Sequence, residues 1–265
     1  MIQHRLAWLT GIALVAGSAF AQPAVPPGTP IDEAYRKKFT TCDQTDSFDG
    51  VQFPIRNNAG KIVWFGCKGD PSRFERFEKI DASGARPAAI IIQSKLAHDE
   101  DGSTKACSSS KGPTDQCTTT LMLNPTDKTK CIVHTASGKK CVPVSADTIP
   151  YVVMPAAAPK GRDIDGNEFA ALSGLRVGDY GVVIANGKVV PVIIADTGPA
   201  YKIGEGSTAL LKGLSDGNAR TFAKGVVFVL FPNTHDDPAT LSPDTLKDVV
   251  AKKGAALFAA LTAKP

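Results

Sequence analysis

Two carboxylates stand nine residues apart in the stretch VVPVIIADTGPAYKIGEGSTALLKGL, residues 189–214. An apolar run ends at Asp196, and Thr197-Gly198-Pro199 then turns the chain. Glu205 follows between Gly204 and Gly206, just ahead of a helix-like run at residues 207–214. Such a pair suits acid/base cleavage of a glycosidic bond. One group protonates the leaving oxygen, and the other activates water or attacks directly. A strand end among apolar residues favours the proton-holding form of an acid, which suits Asp196 as the donor. Free backbone N–H groups at a helix start favour the ionised form, which suits Glu205 as the base. The same two residues also read structurally, as a turn cap and a helix N-terminal acid.

A second acidic feature follows the apolar run at residues 88–93. It is the turn Asp99-Glu100-Asp101-Gly102, part of a calcium-loop pattern without that motif's third ligand and distal Glu. It reads as a solvated turn or as an active-site loop at a strand end. Asp163-Ile164-Asp165-Gly166 is a similar turn, read as exposed. Other chemistries do not assemble. No G-x-S-x-G is present, and His98, His134 and His235 are scattered. No glycine-rich phosphate loop opens a helix after a strand, so no cofactor is expected. Six cysteines, Cys42, Cys67, Cys107, Cys117, Cys131 and Cys141, form no C-x-x-C pair, so no metal is expected either. An even count in an oxidising compartment points to disulfides, with order and spacing favouring Cys42–Cys67, Cys107–Cys117 and Cys131–Cys141.

The elements that must position these acids come next. The chain has 265 residues, 43% of them hydrophobic, enough for a real core. A net charge of +4 with no Lys/Arg block argues against nucleic-acid binding. His4 and Arg5 precede an apolar run to Phe20, and Ala19-Phe20-Ala21 is an A-x-A cleavage site. Residues 1–21 therefore read as a secretory signal, and the protein as secreted or periplasmic. No later run approaches the length of a membrane span, and no anchor is expected. Residues 22–40, rich in Pro and Ala at their start, read as a flexible leader with a short helix at 32–39. Residues 41–265 read as one catalytic domain, expected to be a monomer.

Within that domain, strands are expected at residues 61–66, 88–93, 118–123, 149–155, 181–185, 188–195 and 225–232, with a hairpin at 131–144. Asn186-Gly187 is a strong hairpin signal, and Pro191 suggests an edge or a bulge. A helical turn is expected at 71–80, from the spacing of Phe74, Phe77 and Ile80. A C-terminal helix is expected to about residue 262, capped by Ser242-Pro243-Asp244. Many short strands and few helices make the fold mostly β, a closed or half-closed barrel.

The motifs Ala195-Asp196-Thr197-Gly198 and Gly204-Glu205-Gly206-Ser207 resemble the two acidic turns of the chitosanases of glycoside hydrolase family 75. Ala195 stands where Gly usually precedes the Asp, and Gly206 where Ala usually follows the Glu. The likeness extends through Ile149-Pro150-Tyr151-Val152-Val153, Gly178-Asp179-Tyr180-Gly181 and Thr118-Thr119-Thr120-Leu121, from about residue 88 to 232. It implies an endo-acting hydrolase of β-1,4-linked glucosamine polymers, with Asp196 and Glu205 as the catalytic pair. It also implies Asp99, Asp101, Tyr151 and Thr197 as residues that line the substrate site, and inversion at the cleaved bond. Inversion requires carboxylates roughly 6.5–9.5 Å apart, with room for a water between them. Residues 187–214 also resemble, more loosely, double-psi β-barrel enzymes of the cell wall. That likeness implies a double-psi-like barrel and leaves open a peptidoglycan-acting enzyme, or a binding protein without activity.

Overall fold

The computed structural model describes residues 24–36, 52–56, 62–67, 76–107, 117–123, 142–155, 166–198 and 203–263. In chain order the strands are β1 (Thr29–Pro30), β2 (Gln52–Arg56), β3 (Ile62–Cys67), β4 (Arg76–Ile80), β5 (Ala89–Asp99) and β6 (Met122–Leu123). They continue with β7 (Val142–Pro143), β8 (Tyr151–Pro155), β9 (Tyr180–Ala185), β10 (Lys188–Gly198), β11 (Glu205–Ser207) and β12 (Phe222–Leu230). The helices are α1 (Glu33–Arg36), α2 (Thr104–Cys107), α3 (Gly166–Ser173), α4 (Thr208–Leu214) and α5 (Leu246–Thr262).

Six strands close a barrel in the order β5-β11-β8-β10-β9-β12, with β12 returning to pair β5. The β5–β11 and β8–β10 pairs are parallel, and the other four are antiparallel. The sequence dictates the seams. Isoleucine and valine runs give β5, β9 and β10 their extended backbone. Asn186 and Gly187, with φ of 50° and 72°, form the two-residue turn that joins β9 to β10.

Side chains alternate between two faces. Ile90, Ile92, Leu96, Val152, Val183, Val192, Ile194 and Phe228 share one cluster with Leu210, Leu211 and Leu214 of α4. Tyr151, Val153, Tyr180, Ile193 and Ala195 lie on the other face, under Leu246 and Val250 of α5. Phe258 and Leu261 extend that cover over Val182 and Ile184. A 17-residue helix does not fit inside six strands, so the face under α5 is the outside of the barrel. Each fully buried Ile or Leu contributes about 1.5–3 kcal/mol.

Some local expectations change. Residues 76–80 form strand β4, not a helical turn, because β5 offers an unpaired edge that takes Phe77 opposite Ile92. Phe74 lies outside the described residues. Pro191 is not at the bulge, but it is at a local edge of the sheet, one of the two expected settings. It lies where only β9 pairs, since β8 joins from Ile193 onward, so its missing N–H costs no ladder bond. The bulge comes instead at Ala195. Thr245, not Ser242, is the N-cap of α5, and it makes no side-chain cap bond. The signal segment, the Asp163–Asp165 acids and Cys42, Cys131 and Cys141 lie outside the described residues, and with them most of the 131–144 hairpin. Thr29 and Pro30, within the expected leader, pair with Lys79 and Glu78.

Candidate active site

Strand register brings the acids together. Ile194 pairs with Val152, but Asp196 pairs with Val153, so Ala195 is an extra residue in β10. Without it Asp196 would point inward with Val192 and Ile194. The bulge re-aims it to the outer face, beside Val153. On the far side of β8, Glu205 also pairs with Val153, and it pairs with Ala97 of β5 as well. Asp196 and Glu205 therefore flank one residue from opposite sides and share one face. Two strand spacings put their Cα atoms roughly 10 Å apart.

Asp99 ends β5 on the same face, opposite Ser207. Asp99, Asp101 and Asp196 each offer an oxygen within 4.8 Å of the others. Tyr151, buried at the head of β8, shares its one hydroxyl hydrogen between Asp99 Oδ2 (3.1 Å) and the carbonyl of Asp101 (3.0 Å). The Asp101 N–H donates to Asp99 Oδ1 (3.1 Å). The trio is spaced as a cation site would be, yet both oxygens of Asp99 are already engaged by these donors.

Burial pushes Asp99 up to about 6, and the charges of Asp196 and Glu205 push the same way. The Asp101 N–H and the Tyr151 hydroxyl pull against them. Burial, with the Asp99 and Asp196 charges, holds Tyr151 far above the usual phenol range, so it remains a neutral donor. The charges of Asp196 and Glu205 thus reach Asp99 across a short gap and favour its protonated form.

Asp196 is 5% exposed, as its apolar approach suggests, but its surroundings are not simply dry. Its Oδ1 accepts from the Thr120 N–H (2.9 Å), the Thr120 hydroxyl (2.9 Å) and the Thr197 N–H (2.8 Å). Thr197 Oγ1 lies 2.7 Å from Thr120 Oγ1. Glu205 is half-buried, and a Cβ on Gly198 would lie 3.3 Å from its Oε2, so that glycine gives the carboxylate its room. Ser207 anchors the segment behind it. Its hydroxyl donates to the Ile149 carbonyl and accepts from the N–H groups of Tyr151 and Leu210, the second being the cap of α4.

Five of the six candidates therefore meet at one barrel face: Asp99, Asp101, Tyr151, Asp196 and Glu205. Thr197, opposite Met154 of the inner cluster, joins them through its N–H to Asp196 and its contact with Thr120. Two parts of this cluster were not foreseen. Thr120 is one, and its signal was a run of three hydroxyl residues ahead of Leu121. The other is β11, three residues too short for periodicity to reveal. Asp179, named only within the family likeness, is a fully buried acceptor. It takes the N–H groups of Arg176, Asn233, Thr234 and His235, together with His235 Nδ1.

Among the described residues no helix is long and apolar enough to cross a membrane. No curated protein matches the chain. Residues 96–259 match the family model described as fungal chitosanase of glycosyl hydrolase group 75. That span holds β8 to β12, most of α5 and every acid of the cluster. The chain accordingly belongs to glycosyl hydrolase group 75, and it is a chitosanase-like glycoside hydrolase.

Proposed function

We propose that the protein is an exported, endo-acting chitosanase that hydrolyses β-1,4-linked glucosamine polymers with inversion, using Asp196 and Glu205 as its catalytic pair. The observation that carries this reading is their common register partner, Val153, which sets both acids on one outward face. A two-strand separation leaves room for a sugar ring and a water, where adjacent strands would bring the carboxylates too close. One acid protonates the leaving oxygen while the other activates water from the opposite side of the ring. Asp99 and Asp101 add negative charge to the same face, which attracts a polycationic chain. Tyr151 holds Asp99, and Thr197 stands at the rim.

Export follows from the signal-like residues 1–21, which also favour paired cysteines. The protein is proposed to act as a monomer, without a membrane anchor and without a cofactor.

The test is release of reducing ends from chitosan by the wild type beside Glu205→Gln and Asp196→Asn. Each variant should lose on the order of 10²–10⁴ in kcat while keeping its melting temperature. Proton NMR of the first products should show the inverted anomer. Anhydro-muropeptides from cell wall, with no reducing ends from chitosan, would replace this reading with a peptidoglycan-acting one.

A further inference from the structure

Three consecutive residues, 119–121, are each bonded so that together they hold Asp196. Thr119 is 2% exposed; its hydroxyl donates to the Leu121 carbonyl (2.8 Å) and accepts from the Val144 N–H (2.8 Å). Leu121 donates its N–H to the carbonyl of Ala195 (2.8 Å), the bulge residue itself. Between them Thr120 presents both its N–H and its hydroxyl to Asp196 Oδ1. The segment is therefore tied to Val144, just after β7, to the bulge at one side and to the carboxylate in front.

We propose that Thr120 is a positioning residue, which fixes the Asp196 carboxylate so that Oδ2 is the oxygen that meets substrate. The inference rests on the assignment of Asp196 to the catalytic pair. A carboxylate oxygen offers about two lone-pair directions, and Oδ1 already faces three donors. It has no capacity left to carry or receive a catalytic proton. Among the described residues no hydrogen bond reaches Oδ2. The single Thr120 hydroxyl hydrogen is spent on Oδ1, so in its contact with Thr197 the hydroxyl of Thr197 is the donor. A directed chain results, Thr197 to Thr120 to Asp196. It orients the acid without using the atom that reacts. Acid/base catalysis is sensitive to such aim, because a carboxylate turned away from the scissile oxygen loses its proton transfer while the cleft still binds.

Thr120→Val and Thr120→Ser decide the matter. Val keeps the shape and the backbone N–H and removes the hydroxyl. On chitosan, Thr120→Val should lower kcat about 10- to 100-fold with KM within a factor of two or three, and Thr120→Ser should restore most of it. Both should melt with the wild type. Crystal structures of the two variants add a readout that needs no activity. The Asp196 carboxylate should turn or split between rotamers in the Val variant and hold its wild-type setting in the Ser variant. A Val variant with wild-type kcat, a rise confined to KM, a Ser variant as slow as Val, or an unmoved Asp196 in the Val structure would each overturn the inference. A wild type inactive on chitosan would instead overturn the proposed substrate, and the crystal structures would still decide the role of Thr120.

Discussion

Asp99→Asn is expected to stabilise the protein near neutral pH while it damages the site. Asp99 is the acid whose ionisation the fold resists: burial and the charges of Asp196 and Glu205 raise it from 3.8 to about 6. The folded state therefore binds the proton more tightly than the unfolded chain does. Stability from this group is full below about 3.8 and is lost as pH rises through about 6. At 1.36 kcal/mol per pKa unit, the loss is ~3 kcal/mol by pH 7.5. Asn has nearly the same shape, carries no charge, and its oxygen can still accept from the Asp101 N–H. It should recover most of that amount, roughly 5–10 °C in melting temperature for a chain of this size. The assay is thermal or denaturant unfolding of both proteins between pH 4 and pH 7.5. The variant should match the wild type or trail it slightly at pH 4, gain on it up to about pH 6, and hold that lead to pH 7.5. A difference that does not change with pH would refute the reasoning. So would a wild type that is the more stable protein at pH 7.5. Activity of the variant should fall, since the same charge lines the cleft.

Other perturbations test other links. Gly198→Ala places a methyl group 3.3 Å from Glu205 Oε2 and 3.1 Å from Val153 Cγ1, so kcat on chitosan should drop about 10-fold with little change in melting temperature. Asp179→Asn leaves backbone N–H groups of the 233–235 turn facing an amide in a fully buried site, and should cost about 3 kcal/mol or more by denaturant unfolding.

What could be read from the chain divides along physical lines. The β9–β10 hairpin was legible because Asn186-Gly187 carries its own geometry, and the seam strands because β-branched runs have few other uses. The acids at 196 and 205 were visible because glycines and a strand end marked them. Strand β4 was misread because Phe77 and Ile80 are spaced as in a helix, and only the open edge of β5 overrides that spacing. The bulge at Ala195 was invisible, since one surplus residue leaves no mark on composition and shows only when two strands are laid side by side. Thr120 was hidden for a related reason. Its partner is 76 residues away, and nothing local says which of three threonines reaches it.

The surplus residue in β10 has a consequence for how the molecule folds as well as how it works. A barrel that closed without it would drive the Asp196 carboxylate into the cluster of Val192, Ile194 and Leu210, where an unpaired charge is expensive. The mispaired chain is thus both inert and poorly stable. Quality control of the site is thereby delegated to the core, and molecules that reach the fully folded state arrive with the acid already facing out.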